Sequence, residues 1–510
     1  MKCLLLFNVA LVSGVLLCGC QKSNPVANTF TFARGADSQK LDPADVDDGE
    51  SIKVLVNICE GLVRFRPHTT EPEPCLATAW TISDDGLTYT FQLRSGVRFH
   101  DGTPLTAETA LFSFRRQLNK ELPTATFAYW DSMFNMVTAV EVAGPMELRF
   151  RLREPHAPFL ASLCIPAASL ISPRFQNQNT PVGTGPFRFG EWIPNEKIVL
   201  HRNADYWDEP PTLEHLIFRV VPDNANRLIQ LQTGQVQGLD GLDPNFLDTI
   251  AADPNLQLLT TPGLNVAYLA FHCDKIDLPT RRAIAAAIHK TDLVKAVYRN
   301  TGVVANNPLP PFVPGHHDNL PITALHQAPT PRTTPLRLHV MTNPRPYLPN
   351  PLRAAEMIKA DCAAAGIPIE IIPNEWGAHL TRTSHGEHEL ALLGWVGDNG
   401  DADNFLYVLL DKDTATLGSA MNITFWKNDA YHDLMLAARR ETDPAARAAI
   451  YRQAQELIAQ ERPMVPLAHA QSMIALRANI AGVLLQPNGD IFFQRARQTD
   501  STGTGTMLKP

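Results

Sequence analysis

Along TISDDGLTYTFQLRSGVRFHD, residues 81–101, polar and apolar positions alternate: Thr88, Thr90, Gln92 and Arg94 interleave with Tyr89, Phe91 and Leu93. A period of two is the spacing of a half-buried strand, and Asp84, Asp85 and Gly86 supply a turn ahead of it, so the stretch predicts a β-hairpin. The period then lengthens. In TPLTAETALFSFRRQL, Leu111, Phe114 and Leu118 recur at helical spacing behind Thr106 and Glu108, which suit an N-cap and a first-turn acid.

The second half of the chain repeats this alternation of periods. TRRAIAAAIHKTDLVKAVYRN carries Ile284, Ile288, Leu293, Val294 and Val297 at helical spacing, with Thr291 and Asp292 expected to cap the second of two helices. LRLHVM alternates through Leu336, Leu338 and Val340 as a strand. PLRAAEMIKADCAAAG, with Leu352, Ile358 and Cys362, is a helix stopped by Gly366. IPIEII, EWGAHLTRTS and ELALLGW follow as strand, helix and strand. This order predicts an α/β lobe with a largely parallel sheet. Ligands of such sheets bind at the carboxyl ends of the strands. Arg345 follows LRLHVM and Asp398 follows ELALLGW, so a cation and an anion are expected at one sheet edge, facing one cleft.

Length and charge narrow the possibilities. At 510 residues the chain exceeds the usual domain of about 100–150 residues, which implies two or three lobes. A composition of 45% hydrophobic and 19% charged residues with 41 prolines fits an ordered, loop-rich protein. A net charge of -8 without any lysine and arginine run argues against nucleic acid as the main partner. No internal segment is long and apolar enough to span a membrane.

The N-terminus, MKCLLLFNVALVSGVLLCGCQKSN, has the layout of a secretory signal, and its LCGC ending resembles a bacterial lipobox. On that reading residues 1–19 are removed, Cys20 carries the lipid, residues 20–26 form a tether, and the mature protein is extracytoplasmic. An ordinary signal peptide is the alternative. Cys59, Cys75, Cys164, Cys273 and Cys362 form no CxxC, which argues against structural zinc; they are expected to be buried apolar thiols, with room for one or two disulfides.

The densest candidate chemistry is GWVGDNGDADNF, residues 394–405. A calcium loop needs oxygen ligands at positions one, three and five and glycine at six. From Asp398, position three is Gly400; from Asp401, position six is Leu406, so neither register fits. The aspartates are left to cap a turn or to hold a positively charged ligand group. His316-His317 and the HGEH at 385–388 lack zinc-helix spacing but keep haem or a metal complex open as cargo. No GxSxG, GxxxxGK[ST] or HExxH is present, and TPVGTGPF runs into a proline where a dinucleotide site needs a helix start. A hydrolase built on scattered carboxylates is the remaining enzymatic alternative.

Taken in order, WTISDDGLTYTFQLRSGVRFHDGTPLTAE (80–108), PVGTGPF (181–187), PGLNVAYLAF (262–271), RPYLPNPLRAAEMIKAD (345–361) and GWVGDNGDADNF resemble the family-5 extracellular solute-binding proteins, most closely the dipeptide-binding receptors of ABC importers. The resemblance covers nearly the whole mature chain. It implies a two-lobed α/β periplasmic binding protein of type II, cluster C, with an extra inserted domain and the ligand in the interlobe cleft. Domain I would combine residues 27–50, 181–261 and 480–510, domain II would be 51–180, and domain III 262–479. It further implies that Asp398 takes the ammonium of a dipeptide or short peptide and Arg345 its carboxylate, with Tyr347 and Trp395 as neighbouring walls. Permease subunits would be the protein partners of a periplasmic, lipid-anchored, non-enzymatic monomer without a cofactor. Related branches carry haem, nickel or antimicrobial peptides. The dipeptide branch often has a cysteine pair soon after the aspartate motif; this chain has no cysteine after Cys362, so its loop must be held otherwise. Asp401-Ala402 also replaces the more usual Asp-Pro.

Overall fold

A computed structural model describes residues 28–121, 128–175, 177, 179–320 and 334–499. The signal, Cys20 and the tether lie outside the described residues. One twelve-stranded sheet runs through the molecule. At one end Leu336–Met341 lies between Ile369–Asn374 and Leu390–Val396, parallel to both. At the other, Thr29–Arg34 lies parallel to His215–Val220 and Gly238–Leu239. The strands joining these halves are antiparallel, so the sheet as a whole is mixed rather than largely parallel: its middle is built from strands distant in sequence, with Asn265–Phe271 lying between Leu390–Val396 and Met464–Arg477 and running opposite to both.

The long Met464–Arg477 strand belongs to both halves. Its first part pairs with Asn265–Phe271 and its second with Leu256–Pro262. Between these partners the chain passes Gly263, where a Cβ would lie 2.2 Å from the Ala470 carbonyl oxygen, so no larger residue fits without displacing the neighbouring strand. Asn265 repairs the broken ladder, donating to the Ala470 carbonyl at 2.9 Å and accepting from the Ala470 amide at 2.8 Å. Val54, Leu55 and Ile58 pack with Phe30, Phe32 and Phe218, so the Gly49–Leu55 helix shares a core with the Thr29–Arg34 strand.

A separate four-stranded antiparallel sheet, with order Ala77–Ile82, Thr88–Leu93, Glu147–Leu152 and Val137–Gly144, has its own core around Phe91, Phe114, Phe150 and Phe159. The hairpin read from residues 81–101 forms its first two strands. The Ala107–Leu118 helix starts at Thr106, whose hydroxyl accepts the Thr109 amide as expected of an N-cap. In the second lobe the strand, helix and strand order from Leu336 to Val396 is as the pattern predicts, and Gly366, at φ +78°, follows the end of its helix. Thr291 and Asp292 do not cap. The second helix, Lys290–Tyr298, begins after an extended Ile288 with His289 at the cap position, placing both residues inside its first turn. All five cysteines in the described residues are free thiols: Cys59, Cys75 and Cys362 buried, Cys164 and Cys273 half-buried.

Candidate functional site

The Gly397 to Asn404 loop leaves the Leu390–Val396 strand at the crossing between lobes, where the Gly397 amide donates to the Leu264 carbonyl at 2.7 Å. Its three aspartates have different surroundings. Asp401 accepts two bonds from Arg447, at 2.6 and 2.8 Å, and Asp403 accepts two from Arg439, at 2.7 and 2.9 Å. These arginines belong to the Asp429–Arg440 and Pro444–Glu461 helices. Burial pushes the Asp401 carboxyl up, but the Arg447 guanidinium outweighs it and holds it below the usual carboxylate range. Asp401 also accepts the Asp403 amide at 2.9 Å, capping the turn. Two bidentate pairs thus anchor the loop that lacks a cysteine bridge, and neither carboxylate is offered to a metal.

Asp398 has no such partner. One oxygen accepts the Tyr129 hydroxyl at 3.1 Å and the other the Asn404 side-chain amide at 3.1 Å; both donors are neutral. Asn404 is itself fixed, because its carbonyl oxygen accepts the Asp398 backbone amide and the Trp395 indole N–H, each at 2.9 Å. The residue keeps some exposed surface, yet protein atoms surround the carboxylate, and burial pushes its pKa up to about 6 against the pull of these two bonds. It is a carboxylate oriented by neutral groups and facing no cation of the protein among the described residues.

Arg345 sits beyond the end of the Leu336–Met341 strand, in a tight turn closed by reciprocal backbone bonds with Leu348 at 3.1 and 2.9 Å. Its guanidinium lies flat on Trp376, 3.4 Å from the ring centroid. No ion pair forms to it among the described residues, its buried Nε is unpaired, and burial lowers its pKa. Because the Leu336–Met341 and Leu390–Val396 strands are parallel neighbours, Arg345 and Asp398 leave the same edge of the sheet. They do not bond to each other.

Tyr347 is buried in the lobe core against Gly394, with an unpaired hydroxyl, and Trp395 is half-buried and orients Asn404. The opposite side comes from the separate antiparallel domain, which supplies Tyr129, Ser162 bonded to Asn399 at 3.0 Å, and Thr70. Thr70 presses on Gly400, where φ is +68° and a Cβ would lie 2.1 Å from the threonine Cβ, so glycine is required twice over. Tyr129, Asn404 and Trp376 were not among the residues singled out from the sequence. Asn404 lies inside the aspartate motif and could have been suspected; Trp376 sits in a segment whose pattern says only helix, and Tyr129 lies outside every motif and element read from the sequence.

The family model for bacterial extracellular solute-binding proteins, family 5 Middle, matches residues 71–416. The chain belongs to this family. Family-5 relatives cover almost its whole length: the dipeptide-binding protein of Escherichia coli is 33% identical over 92% of this chain and 94% of its own, and the heme-binding protein A of Haemophilus influenzae is 33% identical over 91% and 92%. Among solved structures, the periplasmic binding protein DppA of Helicobacter pylori in complex with the peptide STSA superposes with a TM-score of 0.79 at 34% identity, covering 92% of this chain and 98% of that one. The family-5 fold here is that of a two-lobed, type II periplasmic binding protein of mixed α/β architecture.

Proposed function

We propose that this protein is an extracytoplasmic receptor that captures dipeptides or short peptides between its lobes and delivers them to an ABC permease. The observation that carries the reading is the pair Asp398 and Arg345, an anion and a cation at one sheet edge, each without an ionic partner among the described residues. A short peptide brings the opposite two charges, its α-ammonium and its carboxylate, separated by about 3.3–3.6 Å per extended residue. Charge-assisted bonds to both ends offset the cost of burying them, and arginine can grip a carboxylate with two parallel donors. The dipeptide-binding relative and the peptide-bound structural neighbour support this assignment. The relatives are named as binding proteins, which favours a non-enzymatic role over the hydrolase reading. A lipid on Cys20 would hold the receptor at a membrane.

Closure supplies the coupling to transport. Tyr129, Ser162 and the Ala157 amide, which donates to the Arg439 carbonyl at 2.7 Å, bring the antiparallel domain onto the second lobe. A ligand that engages both sides favours this arrangement and the surface it presents to a permease.

The equally similar haem-binding relative makes haem the second reading. The histidines that kept it open are engaged: His316 contacts the Leu309 carbonyl at 2.8 Å, His317 pairs with Glu456 at 3.3 Å, His385 contacts the Thr381 carbonyl at 2.8 Å, and buried His388 contacts the Ile423 carbonyl at 2.9 Å. Calorimetric titration with Ala-Ala, N-acetyl-Ala-Ala and haem separates the readings. The proposal expects binding of Ala-Ala alone. Undiminished binding of the acetylated peptide removes the role of Asp398, and binding of haem alone replaces the peptide reading.

A further inference from the structure

A second carboxylate stands at the same crossing, contributed by the first lobe. Asp490 lies in the turn between the short strands Leu484–Leu485 and Ile491–Phe492. That turn is tied to the aspartate loop through one residue: the Leu264 amide donates to the Pro487 carbonyl at 2.8 Å, while the Leu264 carbonyl accepts the Gly397 amide at 2.7 Å. The Ser472 hydroxyl also donates to Pro487, at 3.1 Å, and Gln486 accepts the His68 amide at 2.7 Å, so the turn is fixed from both sides.

Asp490 is only 8% exposed. One of its oxygens accepts the Asn488 side-chain amide at 2.8 Å, and no ion pair reaches it among the described residues. The cation whose charge acts on it is Lys53, which is already bonded to Glu50 at 2.8 Å and to Asp240. The charge of Asp398 raises the cost of ionising Asp490, and the Tyr129 hydroxyl feels both. A single α-ammonium on Asp398 leaves this second buried carboxylate without a counter-charge.

We propose that Asp490 is a second acceptor for the amino end of the ligand, so that the receptor prefers peptides whose first residue carries a basic side chain. The inference rests on the peptide reading above. The first side chain branches from the carbon that bears the α-ammonium, so a ligand seated on Asp398 projects that side chain into the same crossing. A lysine there brings a point charge on a flexible stem of four carbons, able to reach a carboxylate on the facing lobe. The two charges of the ligand then answer the two carboxylates, one from each lobe, and draw the lobes together.

The test is calorimetric titration at pH 7.5 with Lys-Ala, norleucine-Ala, which has a similar stem without the charge, and Ala-Ala. Lys-Ala is expected to bind at least tenfold more tightly than norleucine-Ala to the unmodified protein. Asp490→Asn, which keeps the shape and can still bond Asn488, is expected to bring that ratio to about one. Binding of all three peptides with no advantage for lysine, or an advantage that survives Asp490→Asn, overturns the inference and leaves the peptide reading standing. Failure of all three to bind overturns both. The comparison between Lys-Ala and norleucine-Ala needs no variant, so it decides the matter even if Asp490→Asn does not fold.

Discussion

Asp401 and Asp398 are three residues apart in one loop and meet opposite electrostatic fates. The Asp401 side chain is nearly buried against Arg447, which bonds both its oxygens and ties the loop to the Pro444–Glu461 helix. Asp398 is oriented as carefully, by Asn404 and Tyr129, but by neutral donors only. The paired charge is part of the scaffold. The unpaired one raises the free energy of the empty protein, and a ligand ammonium can recover that cost. The same contrast separates Arg447 from Arg345, which rests on an indole face without an anion.

The difference can be broken experimentally, and the scaffold pair should show the largest effect. Arg447→Ala leaves Asp401 buried without its cation and is expected to cost about 3–5 kcal/mol of stability in urea denaturation; a loss below about 1 kcal/mol would mean that the loop is held by other contacts. Asp398→Ala should do the reverse. Peptide affinity is expected to fall by about 2–5 kcal/mol, roughly thirtyfold to several-thousandfold, while stability at pH 7.5 stays level or rises. A stability loss like that of Arg447→Ala would place Asp398 in the scaffold.

Acid should sharpen the contrast. The folded Asp398 carboxyl titrates at about 6, above its ordinary 3.8. Its contribution to the stability of the empty protein is therefore fully present below the ordinary value and is lost as pH rises through about 6. A bound ammonium favours the ionised form, so peptide affinity should weaken by about tenfold per pH unit once pH falls below about 6. Flat affinity from pH 7.5 to 4.5 would contradict an ionised Asp398 in the complex. The smallest effect is expected from Trp395→Phe, which removes the indole bond that orients Asn404; a loss of about 1 kcal/mol in binding free energy, with little change in stability, is predicted.

These opposite roles were only partly legible in the sequence. The strand and helix order from Leu336 to Val396 follows from hydrophobic period alone, and that order places Arg345 and Asp398 at one edge. The motif's spacing was enough to set calcium aside. It could not reveal which aspartate is paired, because Arg439 and Arg447 lie 36 and 46 residues from their partners and read as ordinary polar positions of two helices. Tyr129 is further still, 269 residues from Asp398. Asp490 reads as a turn residue in PNGD, and only the Leu264 bridge between two loops brings it into the picture. The mixed sheet was missed for a related reason: antiparallel pairing at the crossing joins strands nearly 200 residues apart, and a period-two pattern carries no information about the direction of a partner.

Asp398 is expected to give up the proton that it carries near pH 6 as it takes the ammonium of the ligand. Titration of Ala-Ala at pH 6, repeated in buffers of different ionisation enthalpy, counts the protons that move on binding. With the free carboxyl near half-titrated, release of about half a proton per peptide is expected. Binding without proton release, or with proton uptake, would contradict it.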